Sequence, residues 1–414
     1  MSEGTISERI EEICSHHRRL PGTDAERRLT NALAAELEGA GRACEIEPAW
    51  VHPQWPVVHL LHCLLAIAGS IVAVGEPVVG FALVLVAATS AYLDLSARWY
   101  LIRRLLFRRA SQNLVAAESG DEGLPTVHLV ANVDAPRTGA VYTGIWIRLY
   151  EFAARRLPVV SSPTRLWFWS IAFLLVPVGA RMAGLDAPWL DVVQLVPTLA
   201  LIAACFALGE IALSPASPGA NANASGVAAV LETARLLDAD RPENLRIGIV
   251  LCGGGETTMQ GFRSFLRSHR AELDRATARF VSFESVGRGQ PRFALSGGAA
   301  VSLPLDTELA ELCAAVAAAR DDEDGFDAEP IRDTRPTAGA VARAYRYRAI
   351  AITCREAGRA LPAGHHTPAD VPDGVDPAAV ARAAQLAADA IRLLDRDAGR
   401  VARGGAEPAA TSAG

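Results

Sequence analysis

The chain has 414 residues, half of them hydrophobic, and a formal charge of -6; this length exceeds what one hydrophobic core usually fills and predicts a soluble domain joined to a second kind of structure. The charge is scattered and contains no long basic run able to neutralise a phosphate backbone, which excludes nucleic acid as a partner. Seven cysteines, an odd number without any CxxC pair, argue against a disulfide framework and against a cysteine-based zinc site.

In chain order, residues 1–52 begin with MSEGTISERIEEICSHHRRL, polar and acidic at its start and lacking the apolar core of a signal peptide. Residues 53–109 hold a hydrophobic block, VVHLLHCLLAIAGSIVAV from Val57 and VVGFALVLVAATSAYL from Val78, with a tight turn between. Residues 141–215 repeat the plan with LWFWSIAFLLVPVGA from Leu166 and VVQLVPTLALIAACFAL from Val192. Each uncharged run is slightly short of the about 20 apolar residues that span a bilayer, and each is extendable at its ends. Two transmembrane hairpins are expected, with buried core helices as the competing reading, so the lipid bilayer is a partner.

Arg98, Arg103, Arg104, Arg108 and Arg109 follow the first hairpin, and Arg155, Arg156 and Arg165 precede the second, whereas the tips offer only Arg181. The excess of positive charge on the flanks predicts an integral, multi-pass protein whose soluble part is cytoplasmic. The segments LSARWYLIRRLLFRRA and TGIWIRLYEFAARRL interleave Arg with aromatic and aliphatic residues; they suit helices lying at the membrane surface, or extensions of the spans. His59, His62, Asp191 and Glu210 are the ionisable groups in or beside the spans and are read as interfacial, which speaks against a transport function.

The remainder alternates. TVHLVANV (126–133), LRIGIVLC (245–252), RFVSFES (279–285) and RAIAITC (348–354) are short β-rich apolar runs, separated by the helical patterns ASGVAAVLETARLL, MQGFRSFLRSHRAEL, TELAELCAAVAAA and DPAAVARAAQLAADAIRLL. This predicts an α/β fold, a mainly parallel sheet with helices on both faces, interrupted by the two hairpins. Ligands then bind beyond the carboxyl ends of the strands, where Asn132, Asp134, Glu256, Glu284, His365 and His366 fall; carboxylates and His converging there could bind a divalent metal such as zinc. In GANANASG, from Gly219, small residues permit a tight turn, and Asn223 or Ser225 is expected to cap a helix beginning near Val227. Residues 399–414, rich in Gly, Ala, Pro and Ser, are expected to be a disordered tail.

Four motifs occur in an order that resembles the di-zinc exopeptidases of peptidase family M28, which include aminopeptidases Y and S and glutamate carboxypeptidase-like proteins. They are RLPGTDAERRLTNALAAELEGAGRACEIE, SQNLVA with HLVANVDAP, GANANASGVAAVLETAR, and HHTPADVPDGVD. On this resemblance residues 1–52, 110–140 and 216–398 are parts of one exopeptidase-like domain, with the hairpins inserted. The family mechanism needs two zinc ions sharing a bridging carboxylate and a Glu that takes a proton from metal-bound water.

Carried over position by position, the resemblance implies a depleted site. Asn132 stands where a His ligand is expected, and Asp134 keeps the place of the carboxylate that would orient that His. Ala222 replaces the bridging Asp. Gly255 takes the base position and Glu256 a ligand position, unless the alignment shifts by one residue and Glu256 is the base. Glu284 stands in for an Asp ligand, and His366 is retained. Glu256, Glu284 and His366 leave room for at most one weakly held zinc. Loss of a positioned base alone forfeits about 10²- to 10⁴-fold in rate. The implied function is a membrane-anchored, catalytically impaired zinc exopeptidase-like protein, acting as a binding or regulatory module for a peptide or protein partner in the cleft. The alternative is an active zinc-dependent aminopeptidase or related amide hydrolase with a rearranged single-metal site.

Overall fold

The computed structural model describes residues 3–156, 162–320 and 326–404. Its strands are β1 (Cys44–Val51), β2 (Arg109–Ser119), β3 (Thr126–Asn132), β4 (Arg246–Cys252), β5 (Arg279–Phe283), β6 (Gln290–Gly297), β7 (Leu303–Pro304), β8 (Glu329–Arg332) and β9 (Arg348–Arg355). They form one sheet in the order β1-β2-β4-β3-β5-β9-β6-β7, with β8 beside β6. The four apolar runs legible in the sequence are β4, β3, β5 and β9, which are mutually parallel and central. The antiparallel additions β1, β2, β6 and β7 lie outside them.

The helices are α1 (Glu3–Ser15), α2 (Asp24–Gly39), α3 (Trp55–Val72), α4 (Pro77–Leu95), α5 (Gly144–Arg156), α6 (Pro163–Met182), α7 (Pro188–Leu213), α8 (Ser225–Ala239), α9 (Gln260–Ser268), α10 (Thr307–Ala319), α11 (Ala338–Ala344) and α12 (Pro377–Gly404). Strand alternation sends Leu129 and Ala131 of β3 into one core with α1, α2, α8, α10 and α12, and sends Val130 into another with α9 and α11. Both faces are thereby covered, which is why the central strands are mainly apolar between their ends.

Three expectations change here. The tail does not begin at Gly399, because α12 continues to Gly404; residues 405–414 lie outside the described residues. Neither Arg-rich segment extends a span. After α4 the chain turns through Ile102–Leu105 and enters β2, while the second segment forms the separate helix α5, its last residue Leu157 lying outside the described residues.

Helices α3, α4, α6 and α7 are long and apolar enough to cross a membrane. They pack on one another through Cys63, Ala66, Ile171, Leu174 and Leu201, and leave Ile71, Val79, Phe173, Val196 and Phe206 exposed on the outside. An apolar exterior of this kind is compatible with a surrounding bilayer. A β-carbon on Gly80 would stand 2.5 Å from the Ala73 Cα, so glycine permits the close approach of α3 and α4. Gln194 Nε2 donates to the Ser70 carbonyl at 2.6 Å and Ser70 Oγ bonds Thr198 Oγ1 at 2.8 Å, which pairs these polar groups inside the bundle.

Each hairpin leaves and re-enters the sheet at one point. Antiparallel β1 and β2 pair from Cys44 with Ala116 to Val51 with Arg109, so α3 and α4 occupy the tip of an ordinary strand pair. The second excursion starts and ends at a bridge between Arg137 and Ala216, where Thr138 N–H donates to the Pro215 carbonyl at 3.0 Å. A helical hairpin returns the chain to its origin, so insertion leaves the register intact. Arg109 begins β2 near Asn113, which pairs with Cys252 at the carboxyl end of β4; Arg137 follows the carboxyl end of β3. Both hairpins therefore rise from the edge of the sheet where ligands bind in such folds.

Candidate active site

Asn132, Ala222, Gly255, Glu256, Glu284, His365 and His366 line a single cavity at that edge. Asn132 ends β3, Gly255 and Glu256 form the turn after β4, Glu284 follows β5, and the two His lie in the loop after β9. Asp134 lies beneath it, fully buried.

The turn carrying Glu256 is held from below by two carboxylates. Asp134 accepts the N–H of Gly255 at 2.6 Å and of Glu256 at 2.9 Å. Glu26, from the opening motif, accepts the N–H of Gly254 at 2.9 Å and of Gly22 at 2.7 Å. Burial pushes the Glu26 carboxyl up to about 7, and burial, with Glu26 and Glu256 nearby, holds Asp134 well above the usual carboxylate range. Asp134 thus has a task that needs no imidazole: it orients the backbone of the Glu256 turn. Gly255 itself abuts Asn132, and a β-carbon on it would lie 2.3 Å from the Asn132 Cβ.

GANANASG forms a wide helical turn over Ala220–Ala224 that runs directly into α8. The expected cap at Asn223 or Ser225 is not made. Asp370, the last residue of HHTPAD, accepts the N–H of Asn221 at 2.6 Å and of Ala222 at 3.1 Å. Ser225 instead bonds the Asn221 carbonyl at 2.7 Å, and Asn223 Oδ1 accepts from Arg19 at 3.0 Å. Arg19, fully buried, also donates to the carbonyls of Ile13, Val133 and Pro218, tying the opening motif to the end of β3.

Of the expected metal ligands, His366 Nε2 and Glu256 Oε2 are 3.4 Å apart. Glu284 is engaged elsewhere: its Oε1 accepts the Ala338 N–H at 2.9 Å, capping α11, and burial raises its carboxyl to about 7. Asn132 Nδ2 donates to the Asp134 carbonyl at 3.1 Å, and Ala222 offers no ligand atom. Among the described residues no three His, Cys, Asp or Glu side chains are gathered so as to hold an ion. These residues do not fit a two-zinc centre.

Several lining residues have no counterpart in the sequence reading. Tyr142 packs edge-on to His365 and His366, with ring centroids 5.2 and 4.9 Å apart. Arg335 donates to Asp333 at 2.7 Å and to Ser285 Oγ at 3.2 Å, while Arg355 reaches the same Asp333 oxygen at 3.3 Å. Burial alone would raise Asp333, but the two guanidinium groups hold it well below the ordinary range. His59, read as interfacial, lines the cavity from α3, whereas His62 bonds Ser90 inside the bundle at 2.8 Å. Trp55 of α3, Leu95 of α4 and Pro163 of α6 complete that side. Arg103, counted among the flanking cations, is fully buried; it grips Asp94 at 2.7 and 2.5 Å and reaches the Thr257 carbonyl at 3.4 Å. Thr258, Met259, Ser285 and His366 all line the cavity with positive φ of 68, 54, 56 and 54°. Strained backbone of this kind gathers at functional clefts.

The mainly parallel α/β sheet, with a polar cleft over the carboxyl ends of its central strands, is the architecture that the comparisons address. The model of peptidase family M28 matches residues 207–391 of this chain. No curated protein sequence matches it. Among solved structures it is similar to a zinc aminopeptidase from Bacillus subtilis (10% identity, 95% of each chain covered, TM-score 0.54). An aminopeptidase from Aneurinibacillus sp. strain AM-1 also matches (11% identity, 94% of this chain and 93% of that one, TM-score 0.53), as does Bacteroides thetaiotaomicron glutaminyl cyclase bound to N-acetylhistamine (16% identity, 94% and 97%, TM-score 0.52). At these identities the likeness is one of fold.

Proposed function

We propose that the protein is a membrane-anchored M28-like binding module whose cleft is impaired for two-zinc hydrolysis. The observation that carries this reading is the contact of Gly255 with Asn132: the position of the family's base is closed by packing as well as lacking a carboxylate. Ala222 supports it, having no atom to bridge two cations, as does Glu284, whose carboxylate caps α11. The apolar exteriors of α3, α4, α6 and α7 support anchoring, and the exposed Arg98, Arg104, Arg108 and Arg109 beside the first hairpin support a cytoplasmic soluble domain.

A second reading, a single-metal amide hydrolase, draws on the Glu256–His366 contact and on the strained residues around it. Glu284 would have to ligate through Oε2, since its Oε1 accepts the Ala338 N–H. Metal analysis of the purified full chain, together with a panel of aminopeptidase substrates with and without chelator, separates the two. We expect substoichiometric zinc and no cleavage; one tightly bound zinc with chelator-sensitive turnover would overturn the binding-module reading.

A further inference from the structure

The roots of the two hairpins enclose a second cavity. Gln54 precedes α3, Arg109 receives the chain after the first hairpin, Arg137 precedes the second excursion, and Ala212 lies in the last turn of α7; all four line it. Its volume is about 130 Å³. One water needs about 10–15 Å³, so the space takes several waters or a polar group the size of a phosphate.

The lining selects an anion. Arg137 is half-buried and spends Nη1 on the Ser214 carbonyl at 2.7 Å; burial lowers its guanidinium and no neighbouring carboxylate raises it. Arg109 is exposed beside the Phe107 ring, 5.5 Å from the centroid. Among the described residues neither forms an ion pair. Glu256 also borders the cavity, but it faces the His366 imidazole at 3.4 Å, and two guanidinium groups outweigh one carboxylate.

Two further groups lack a partner there. Gln54 Nε2 and Oε1 are both buried and make no hydrogen bond, and a buried polar atom facing a cavity is a place for a ligand's polar group. The Gln54 side chain does not cap α3, whose first residues Trp55, Pro56 and Val57 line the cavity. The uncapped N–H groups and the positive end of the helix dipole favour an anion at this point. A planar carboxylate is matched by one bidentate guanidinium. Donors brought by a strand, a loop and a helix end suit a tetrahedral oxyanion better.

We infer that this cavity binds a phosphate group between Arg109 and Arg137, with Gln54 Nε2 and the first turn of α3 as further donors. Gln54 Oε1 then accepts from a hydroxyl of the ligand or from water. Two sources carry the group: a phospholipid headgroup at the ends of α3 and α7, and a soluble phosphate ester. The site is separate from the metal positions of the cleft and does not depend on whether the cleft hydrolyses.

The test uses the full chain in detergent. Native mass spectrometry compares retention of phosphatidic acid with that of diacylglycerol bearing the same acyl chains, and titration calorimetry with glycerol 3-phosphate probes the soluble source. A lipid source predicts retention of phosphatidic acid about 10-fold above diacylglycerol; a soluble source predicts saturable binding of glycerol 3-phosphate without that preference. Either result supports the site if Arg109→Gln and Arg137→Gln each weaken binding about 10-fold while Arg104→Gln, an exposed arginine outside the cavity, leaves it unchanged. Should Arg137→Gln fail to fold, Arg109→Gln decides, because its side chain is exposed. Binding of neither ligand would overturn the inference. So would binding unchanged in a folded Arg109→Gln variant, or an equal loss in Arg104→Gln, which assigns the effect to general surface charge.

Discussion

Asn132 and Gly255 stand in direct contact, with 2.3 Å between the Asn132 Cβ and the place a β-carbon on Gly255 would take. Any side chain at 255 therefore forces the turn away from β3. Gly255→Ala should destabilise the fold by about 1–3 kcal/mol through overpacking, measured by thermal unfolding in detergent. Asn132→Gly in the same chain should recover most of that loss; equal losses in the single and double variants would refute the contact. Re-creating a family-like site by Asn132→His, Ala222→Asp and Gly255→Glu meets the same clash, because His brings its own Cβ.

Asp134 holds two consecutive N–H groups of the Glu256 turn. In Asp134→Ala both donors lose their partner, at about 1–3 kcal/mol for each buried group, offset in part by removal of a carboxylate whose burial already disfavours its charge. Amide exchange read by mass spectrometry should accelerate across Gly254–Thr257 in Asp134→Ala and less in Asp134→Asn, which keeps one acceptor. Protection unchanged in both variants would show that the turn is held by other contacts.

Glu284 is buried and its carboxyl is raised from 4.5 to about 7. A carboxyl with a raised folded-state pKa favours the fold when protonated, so its contribution is complete below pH 4.5 and is lost as pH rises through 7. The difference is on the order of 3 kcal/mol. Melting temperature should fall between pH 5 and 8 in the native chain, and fall less in Glu284→Gln, which keeps the acceptor for Ala338. Identical pH profiles would count against the assignment. Glu26, raised to about 7, acts in the same direction and accounts for residual slope in that variant.

Arg103 and Asp94 bind the base of the first hairpin to the turn below Glu256 through a fully buried ion pair. Removing one partner strands the other charge, so Arg103→Met should cost about 3–5 kcal/mol, whereas Arg103→Met with Asp94→Leu should be close to native. Additive losses in a double-mutant cycle by thermal unfolding would contradict this.

Much of the architecture was legible because the physics behind it is local or periodic. Continuous apolar runs marked the four central strands, since a strand buried on both faces tolerates little else, and uncharged stretches of near-spanning length marked the four long helices. The strands β6, β7 and β8 at one end of the sheet were not legible: β7 and β8 are too short, two and four residues, to carry a pattern, and Pro291, Arg292 and Gly297 interrupt the apolar run of β6.

The site divides in the same way. Which residues sit at the strand ends followed from the sequence, and with it the absence of carboxylates at Ala222 and Gly255. What those residues do was decided by partners far along the chain. Glu284 caps α11, Asp134 supports the Glu256 turn, Asp370 caps the turn of GANANASG, and His59 faces the cleft because two hairpins return to the same edge of the sheet. Residue type and periodicity fix the elements, while a side chain's partner depends on three-dimensional proximity. That proximity here was set by where the inserted helices leave and rejoin the sheet.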